Sequence, residues 1–319
     1  MVQIDLKDLP QNWPGLWYKE GQKRGVNSKI TCFKVNLNNS EVLESYNSSH
    51  IKVDGIGTIL HLLNQHGKNV KLSSNNKIKK MTFTDFFQYV ISLLFTKSSK
   101  KIDWTYWQED NQQGNKSEFH FHVFSKEETG KIVQVAKNKD VSLTSHALSI
   151  FNSHIFESLI SKKKCHQWMI PINLRGHVES PHLLSNQVAA IFIDSEPKTT
   201  DREFHQKLKF KLSHQMFWPS WFFFNIGKVI GFSGVKLLAK FLIGKTQYLG
   251  NFTNIGSWET HNKDEAFCIF PPGSSNFPIG IILQTMNEQL IITMRMHQSI
   301  NKNKDFTKNI FAQIISDLR

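Results

Sequence analysis

The sequence predicts a mixed α/β or α+β protein built on large mixed sheets, and three observations predict it. Strand-like and helix-like segments alternate along the 319 residues instead of falling into separate blocks. Two apolar runs, Ile279 to Met286 and Gln289 to His297, flank Asn287-Glu288 and read as an antiparallel hairpin. The string Ser125-Lys126-Glu127-Glu128 is a capping box, in which the Ser hydroxyl and the Glu carboxylate each satisfy an amide at a helix start.

Taken in order, residues 1–48 read as a mixed opening. Pro10, Trp13, Pro14 and Trp17 suggest irregular chain, and Phe33 to Leu37 has the period-two pattern of a strand. Ser49-His50-Ile51-Lys52-Val53-Asp54-Gly55 follows, and Ile56 to Leu63 is apolar and helical in pattern. Gly67 to Lys80 reads as a solvated loop, and Met81 to Phe95 as a buried helix capped by Thr82 or Thr84. Thr96 to Ser117, polar and rich in Asn, Gln and Lys, reads as a linker, which divides the chain into 1–117 and 118–319. Beyond it Phe119, Phe121 and Val123 alternate as in a strand. The capping box then opens a helix to about Asn138, and a second helix begins at Leu143 with Ala147, Leu148, Phe151, Ile155 and Leu159 on one face. Trp168 to Leu174 and Gln187 to Ile193 read as buried strands, Asp201 to Gln215 as a surface helix, and Asp305 to Leu318 as the last helix.

Thirty-nine basic against 26 acidic residues give a net charge of +13, which suggests an anionic partner. The basic residues fall in short clusters such as Lys77 to Lys80 and Lys162 to Lys164. No zinc-finger, helix-turn-helix or RNP-like pattern accompanies them, which argues against nucleic acid. Cys32, Cys165 and Cys268 are few and far apart, with no CxxC, so reduced thiols in a cytoplasmic protein are expected. The N-terminus has no basic and apolar leader pattern. His120 and His122 share one strand face without a third ligand at a metal-binding spacing, so they read as a packed or solvated pair and no metal is expected.

The segment from Ser49 to Gly55 carries the chemistry. An imidazole held at a strand end, just before a helix opened by glycine, can face a cleft as a general base. A buried carboxylate four residues on can hold the local backbone through an ion pair without touching substrate. The bland reading is a strand-to-helix turn with an incidental histidine.

The order of elements resembles the chloramphenicol acetyltransferase-like, coenzyme A-dependent acyltransferases, nearest the wax ester synthase/diacylglycerol acyltransferase and condensation-domain branch. Ser49 to Gly55 is similar to that family's HHxxxDG, with Ser49 in place of the first His. Met169-Ile170-Pro171-Ile172-Asn173-Leu174-Arg175-Gly176, followed by Ser185-Asn186-Gln187-Val188, resembles its PVNLR strand and the next strand start. Asn251-Phe252-Thr253-Asn254-Ile255-Gly256 resembles its late S/T-N-x-G segment.

The resemblance implies two similar lobes with an active-site tunnel between them. His50 would be the base that deprotonates a hydroxyl or amine acceptor. Asp54 would form a structural ion pair with Arg175, Gly55 would be the motif glycine, and Thr253 and Asn254 would be donors to an oxyanion. The co-substrate would be an acyl thioester of coenzyme A or of a carrier pantetheine, with no bound cofactor, and the acceptor a small molecule or lipid. The motif starts only 49 residues in, earlier than is usual for the family, so a reduced N-terminal lobe is expected. A catalytically silent relative that binds a lipid, carrier or protein partner is the alternative.

The run from Met216 to Ile243 stands apart. Pro219, Asn225, Lys228, Lys236 and Lys240 interrupt it too often for a membrane span. On a continuous helical wheel the three lysines share one side, with Ile230, Leu237, Leu238 and Phe241 opposite. An interfacial helix at an anionic membrane surface, or a flap over a lipid tunnel, is the sharp expectation, and a core helix the bland one.

Overall fold

The structure, a computed structural model, describes residues 2–4, 6, 9, 12–23, 26–68, 70, 101–108, 117–180, 182–242 and 246–319. The expected helix Met81 to Phe95 lies outside these residues, as do nearly all of the expected loop from Gly67 to Lys80 and much of the expected linker.

A six-stranded mixed sheet organises the protein, in the order β4 (Glu118–Val123), β10 (Gln289–Met296), β9 (Ile279–Met286), β7 (Gly250–Trp258), β5 (His166–Asn173) and β6 (Val188–Ser195). Pairing is antiparallel at both edges and parallel at β9–β7 and β7–β5. The β9–β10 hairpin turns on Asn287 and Glu288, whose φ values of 49° and 70° suit the twist of a two-residue turn.

Because successive strand residues point to opposite faces, each strand divides its side chains between two cores. Trp168, Ile170, Phe252, Ile281, Leu283, Ile292 and Met294 enter one core. That core is shared with α4 (Leu143–Leu159), α8 (Lys304–Leu318) and buried residues of α3 (Lys126–Asn138) and α5 (Asp201–Ser213). Its largest member, Trp168, is fully buried and donates its indole N–H to Asn152 at 3.0 Å. The capping boxes of α3 and α5 are both formed, through Ser125 with Glu128 and Thr200 with Glu203.

On the opposite face lies a four-stranded mixed sheet in the order β1 (Val2–Gln3), β3 (Val42–Ser49), β2 (Lys29–Asn36) and β8 (Glu265–Phe270). With α2 (Gly55–Gln65) it forms a second core that also takes in Ile282, Met286 and Ile291 from the large sheet. The division at 117/118 therefore does not separate the sheets, because β8 crosses to complete the smaller one and pairs antiparallel with β2. The described part of the expected linker is anchored: Ile102 and Trp104 are buried in the larger core, and Trp104 bridges to Ile160.

Residues 1–48 are more regular than expected. Trp13–Gln22 is a helix, α1, and β3 intervenes between the expected strand and the motif. Pro14 does not break α1, since the first turn needs no amide donor there, and Asn12 caps the start by accepting from Gly15 N at 2.7 Å. The 216–243 run is two helices, α6 (Trp218–Asn225) and α7 (Gly227–Leu242), which bend by 72°. Gly231, at φ 67°, interrupts α7, so the sequence cannot be drawn on one continuous wheel. Beyond that break Leu237 and Phe241 share the exposed face with Lys236 and Lys240 and do not oppose them.

Candidate active site

β3 ends at Ser49 and delivers His50 to a turn ahead of α2. The backbone is pinned on both sides, His50 N donating to Ser28 O at 2.7 Å and the Asn186 amide donating to His50 O. Tyr18 of α1 stacks on the imidazole, with ring centroids 4.0 Å apart and planes at 20°. Burial pushes the imidazole below its ordinary pKa, against the opposing field of the Asp54 carboxylate. The ring is therefore a neutral base at pH 7.

Asp54 does not compete for substrate, because every strong contact of its carboxylate is structural. It caps α2 by accepting from Gly57 N at 2.8 Å, and it also accepts from Gln187 N at 3.0 Å. Arg175 grips both oxygens, Nη2 to Oδ1 at 2.7 Å and Nη1 to Oδ2 at 3.0 Å. Both side chains are 2% exposed. The guanidinium is completed by Leu183 O and Ser185 O, each at 3.0 Å, and by Asn173 Oδ1 at 3.1 Å. This forked, fully bonded pair joins α2 to the segment after β5, which is the geometry that makes a buried charge pair tolerable.

The helix start depends on a different glycine from the expected one. A Cβ on Gly55 would meet nothing closer than Ile269 at 3.9 Å, whereas a Cβ on Gly57 would lie 2.1 Å from Leu184 O and 3.2 Å from Arg175 Nη2. We therefore expect Gly57→Ala to cost about 1–3 kcal/mol, because backbone must move to relieve the overlap. Gly55→Ala should be neutral or stabilising by up to about 1 kcal/mol. Urea melts of the two variants measure this, and equal midpoints would refute it.

A cavity of about 120 Å³ lies between the two sheets, where the tunnel was expected among the described residues. His50, Tyr18, Asn186, Asn251 and Thr253 give it polar wall, and Ile30, Met169, Val188, Ile269 and Ile282 are among its apolar lining. Strand alternation decides which β7 side chains face it. Phe252 turns into the opposite core and Asn251, Thr253 and Ile255 turn toward the cavity.

Asn254 also lines the cavity, and its side chain is engaged, its amide donating to Thr144 of α4 at 3.1 Å and its Oδ1 accepting from Gly256 N at 2.9 Å. Thr253 lines the same cavity two residues from Asn251. Asn251, two residues before it on the same face, was not singled out from the sequence, although period two alone would have paired it with Thr253. Three buried polar atoms at the cavity, His50 Nδ1, Asn186 Oδ1 and Asn251 Oδ1, have no hydrogen-bond partner among the described residues. Unpaired buried polar atoms are costly and concentrate where a ligand is handled.

His120 and His122 are occupied elsewhere, His120 against Phe311 and His122 against Phe124 and Arg319. Among the described residues no group of three His, Cys, Asp or Glu side chains is arranged to hold a metal ion.

Comparison with solved structures yields clear similarities. Trichothecene 15-O-acetyltransferase from Fusarium sporotrichioides matches with a TM-score of 0.60 at 11% identity, over 99% of this chain and 76% of that one. The PapA2 acyl transferase matches at 0.54 and 8% identity, over 98% and 90%. The cyclization-docking bidomain from Sorangium cellulosum matches at 0.53 and 9%, over 85% and 58%. The protein has the chloramphenicol acetyltransferase-like fold. Neither family models nor curated protein sequences give a match. At these identities the likeness lies in the fold, and in that fold His50 and the Asp54–Arg175 pair sit at the junction of the two sheets.

Proposed function

We propose that this protein transfers an acyl group from a thioester of coenzyme A or carrier pantetheine to a hydroxyl or amine acceptor, with His50 as general base. The observation that carries the reading is the imidazole itself: neutral through burial, braced by Tyr18, and set in an apolar cavity beside Asn251 and Thr253. In the step envisaged, the acceptor proton passes to the imidazole as the acceptor oxygen or nitrogen attacks the thioester carbonyl carbon. The Asn251 amide and the Thr253 hydroxyl, both lining the cavity, would donate to the oxygen that becomes negative. The intermediate then collapses, the C–S bond breaks, and the imidazolium returns its proton to the departing thiolate.

The balance closes with two substrates and one imidazole, so no bound cofactor is invoked. The apolar lining favours an acyl or lipid-like portion over a sugar or nucleotide in the cavity. Three cysteines without a CxxC spacing suit the cytoplasmic setting proposed here.

Free-thiol release from a panel of acyl-coenzyme A donors, against mixed alcohol and amine acceptors, tests the reading. Acceptor-dependent release by the wild type supports it. Donor binding without turnover across the panel would instead favour a silent relative that retains only the binding site.

A further inference from the structure

Helix α7 presents a surface that the catalytic reading does not use. Its buried side is narrow, made chiefly by Val235 and Ala239, which pack on Leu16 and Trp17 of α1. The outward side is apolar and basic at once. Val229 is 64% exposed, Leu237 58% and Phe232 43%, and Lys228, Lys236 and Lys240 are exposed among them. Lys236 arches over Phe232, its ammonium 4.6 Å from the ring centre. The charge bias extends well beyond the helix, since between Glu203 and Glu259 the chain has seven lysines and no acidic residue.

That chemistry selects among occupants. A second copy of the same face would set lysine against lysine. A folded acidic partner would satisfy the lysines but has no evident use for scattered aliphatic side chains on a helix with no acidic residue. A bilayer with anionic headgroups satisfies both sets, with hydrocarbon at the acyl boundary and ammonium groups at the phosphates. Among the described residues no single helix is long and apolar enough to cross a membrane, and α6 and α7 bend away from a common axis by 72°. The pair suits lying on a surface.

We propose that α7 docks this protein on an anionic phospholipid bilayer, with Val229, Phe232 and Leu237 entering the headgroup boundary and Lys228, Lys236 and Lys240 on lipid phosphates. Docking would set α1, on which α7 packs and whose Tyr18 lines the His50 cavity, one helix layer from the bilayer. Phe224 of α6 lines that cavity, its carbonyl accepts from the Trp17 indole at 3.2 Å, and the neighbouring Tyr18 stacks on His50. A substrate drawn from the membrane follows as the last step, and that step alone rests on the acyl-transfer reading.

Co-sedimentation of the full chain with phosphatidylcholine vesicles, with and without phosphatidylglycerol, tests the docking. Binding is expected only with the anionic lipid and should fall as salt rises. The triple reversal Lys228→Glu, Lys236→Glu, Lys240→Glu should weaken it by about a hundredfold or more. The uncharged pair Val229→Ser, Leu237→Ser should weaken it by about tenfold or more. All five side chains are exposed, so thermal melts of the variants should match the wild type.

Equal binding to neutral vesicles, or wild-type binding by both variants, overturns the proposal. A concentration-dependent dimer dissolved by the serine pair would give the face to a second copy instead. Thiol release with soluble substrates should be unchanged in these variants. Vesicle binding without turnover in any form would remove the acyl-transfer reading and leave docking standing.

Discussion

His50→Ala should lower acyl transfer by about 10²–10⁴-fold in kcat/KM while leaving the melting temperature and thioester binding near wild type. The size follows from losing the proton acceptor. Without it the hydroxyl or amine must attack carrying its proton, or wait for water to take it in a cavity that is mostly apolar. Folding should survive because the ring's described contact is one stacking partner, Tyr18, while the backbone bonds to Ser28 and Asn186 need no side chain. Ser49→Ala should change the rate little, since Ser49 is the last residue of β3 and does not line the cavity.

The pH profile gives a second reading on the same group. Burial lowers the His50 pKa, so the neutral form predominates at pH 7 and activity should be near its plateau there. It should fall only as pH drops below the ordinary imidazole value and through the lowered one. Transfer that persists in His50→Ala, or an acid limb lying above the ordinary histidine value, would remove the base from the mechanism.

Much of this arrangement was legible in the sequence where local rules agree with the tertiary fold. The capping box at Ser125 formed, and the strands through Trp168 and Ile191 and the Asn287-Glu288 hairpin fell close to their expected positions. The ion pair of Asp54 with Arg175 was reached through the motif resemblance and not through spacing, since 121 residues separate the two.

The misses have physical causes. Helix α1 was hidden because Pro10 and Pro14 read as irregular chain, although the first helical turn tolerates Pro14. Gly15 in fact lets α1 pass close to Ile51 O, where a Cβ would come within 1.9 Å. Strand β3 has an irregular burial pattern, exposed at its start and buried near its end, so no period-two signal marks it. The crossing of β8 into the smaller sheet is a long-range pairing that local pattern does not encode. Asn251 escaped because the late motif was read as a string and not by the strand face that Asn251 shares with Thr253.

Breaking the Asp54–Arg175 pair should be the most costly single change to stability. Arg175→Met is expected to lose about 3–5 kcal/mol, because it leaves a carboxylate that is 2% exposed without its cation. Asp54→Ala should lose at least as much. It strands the guanidinium and also removes the α2 cap on Gly57 N, itself worth about 1 kcal/mol. Asp54→Asn separates the two contributions, since an asparagine can still cap the helix but brings no charge. The Asp54→Ala, Arg175→Met double variant should be less damaged than the sum of the singles, with a coupling of about 0.5–3 kcal/mol in a denaturant cycle. Stability should govern these variants more than chemistry, because neither side chain is free to touch substrate. Any fraction of the Asp54 variants that stays folded should carry its acid limb to lower pH, because the carboxylate field that opposes burial at His50 is gone. Single substitutions that cost less than about 1 kcal/mol would mean that the pair is not the latch between α2 and the segment after β5.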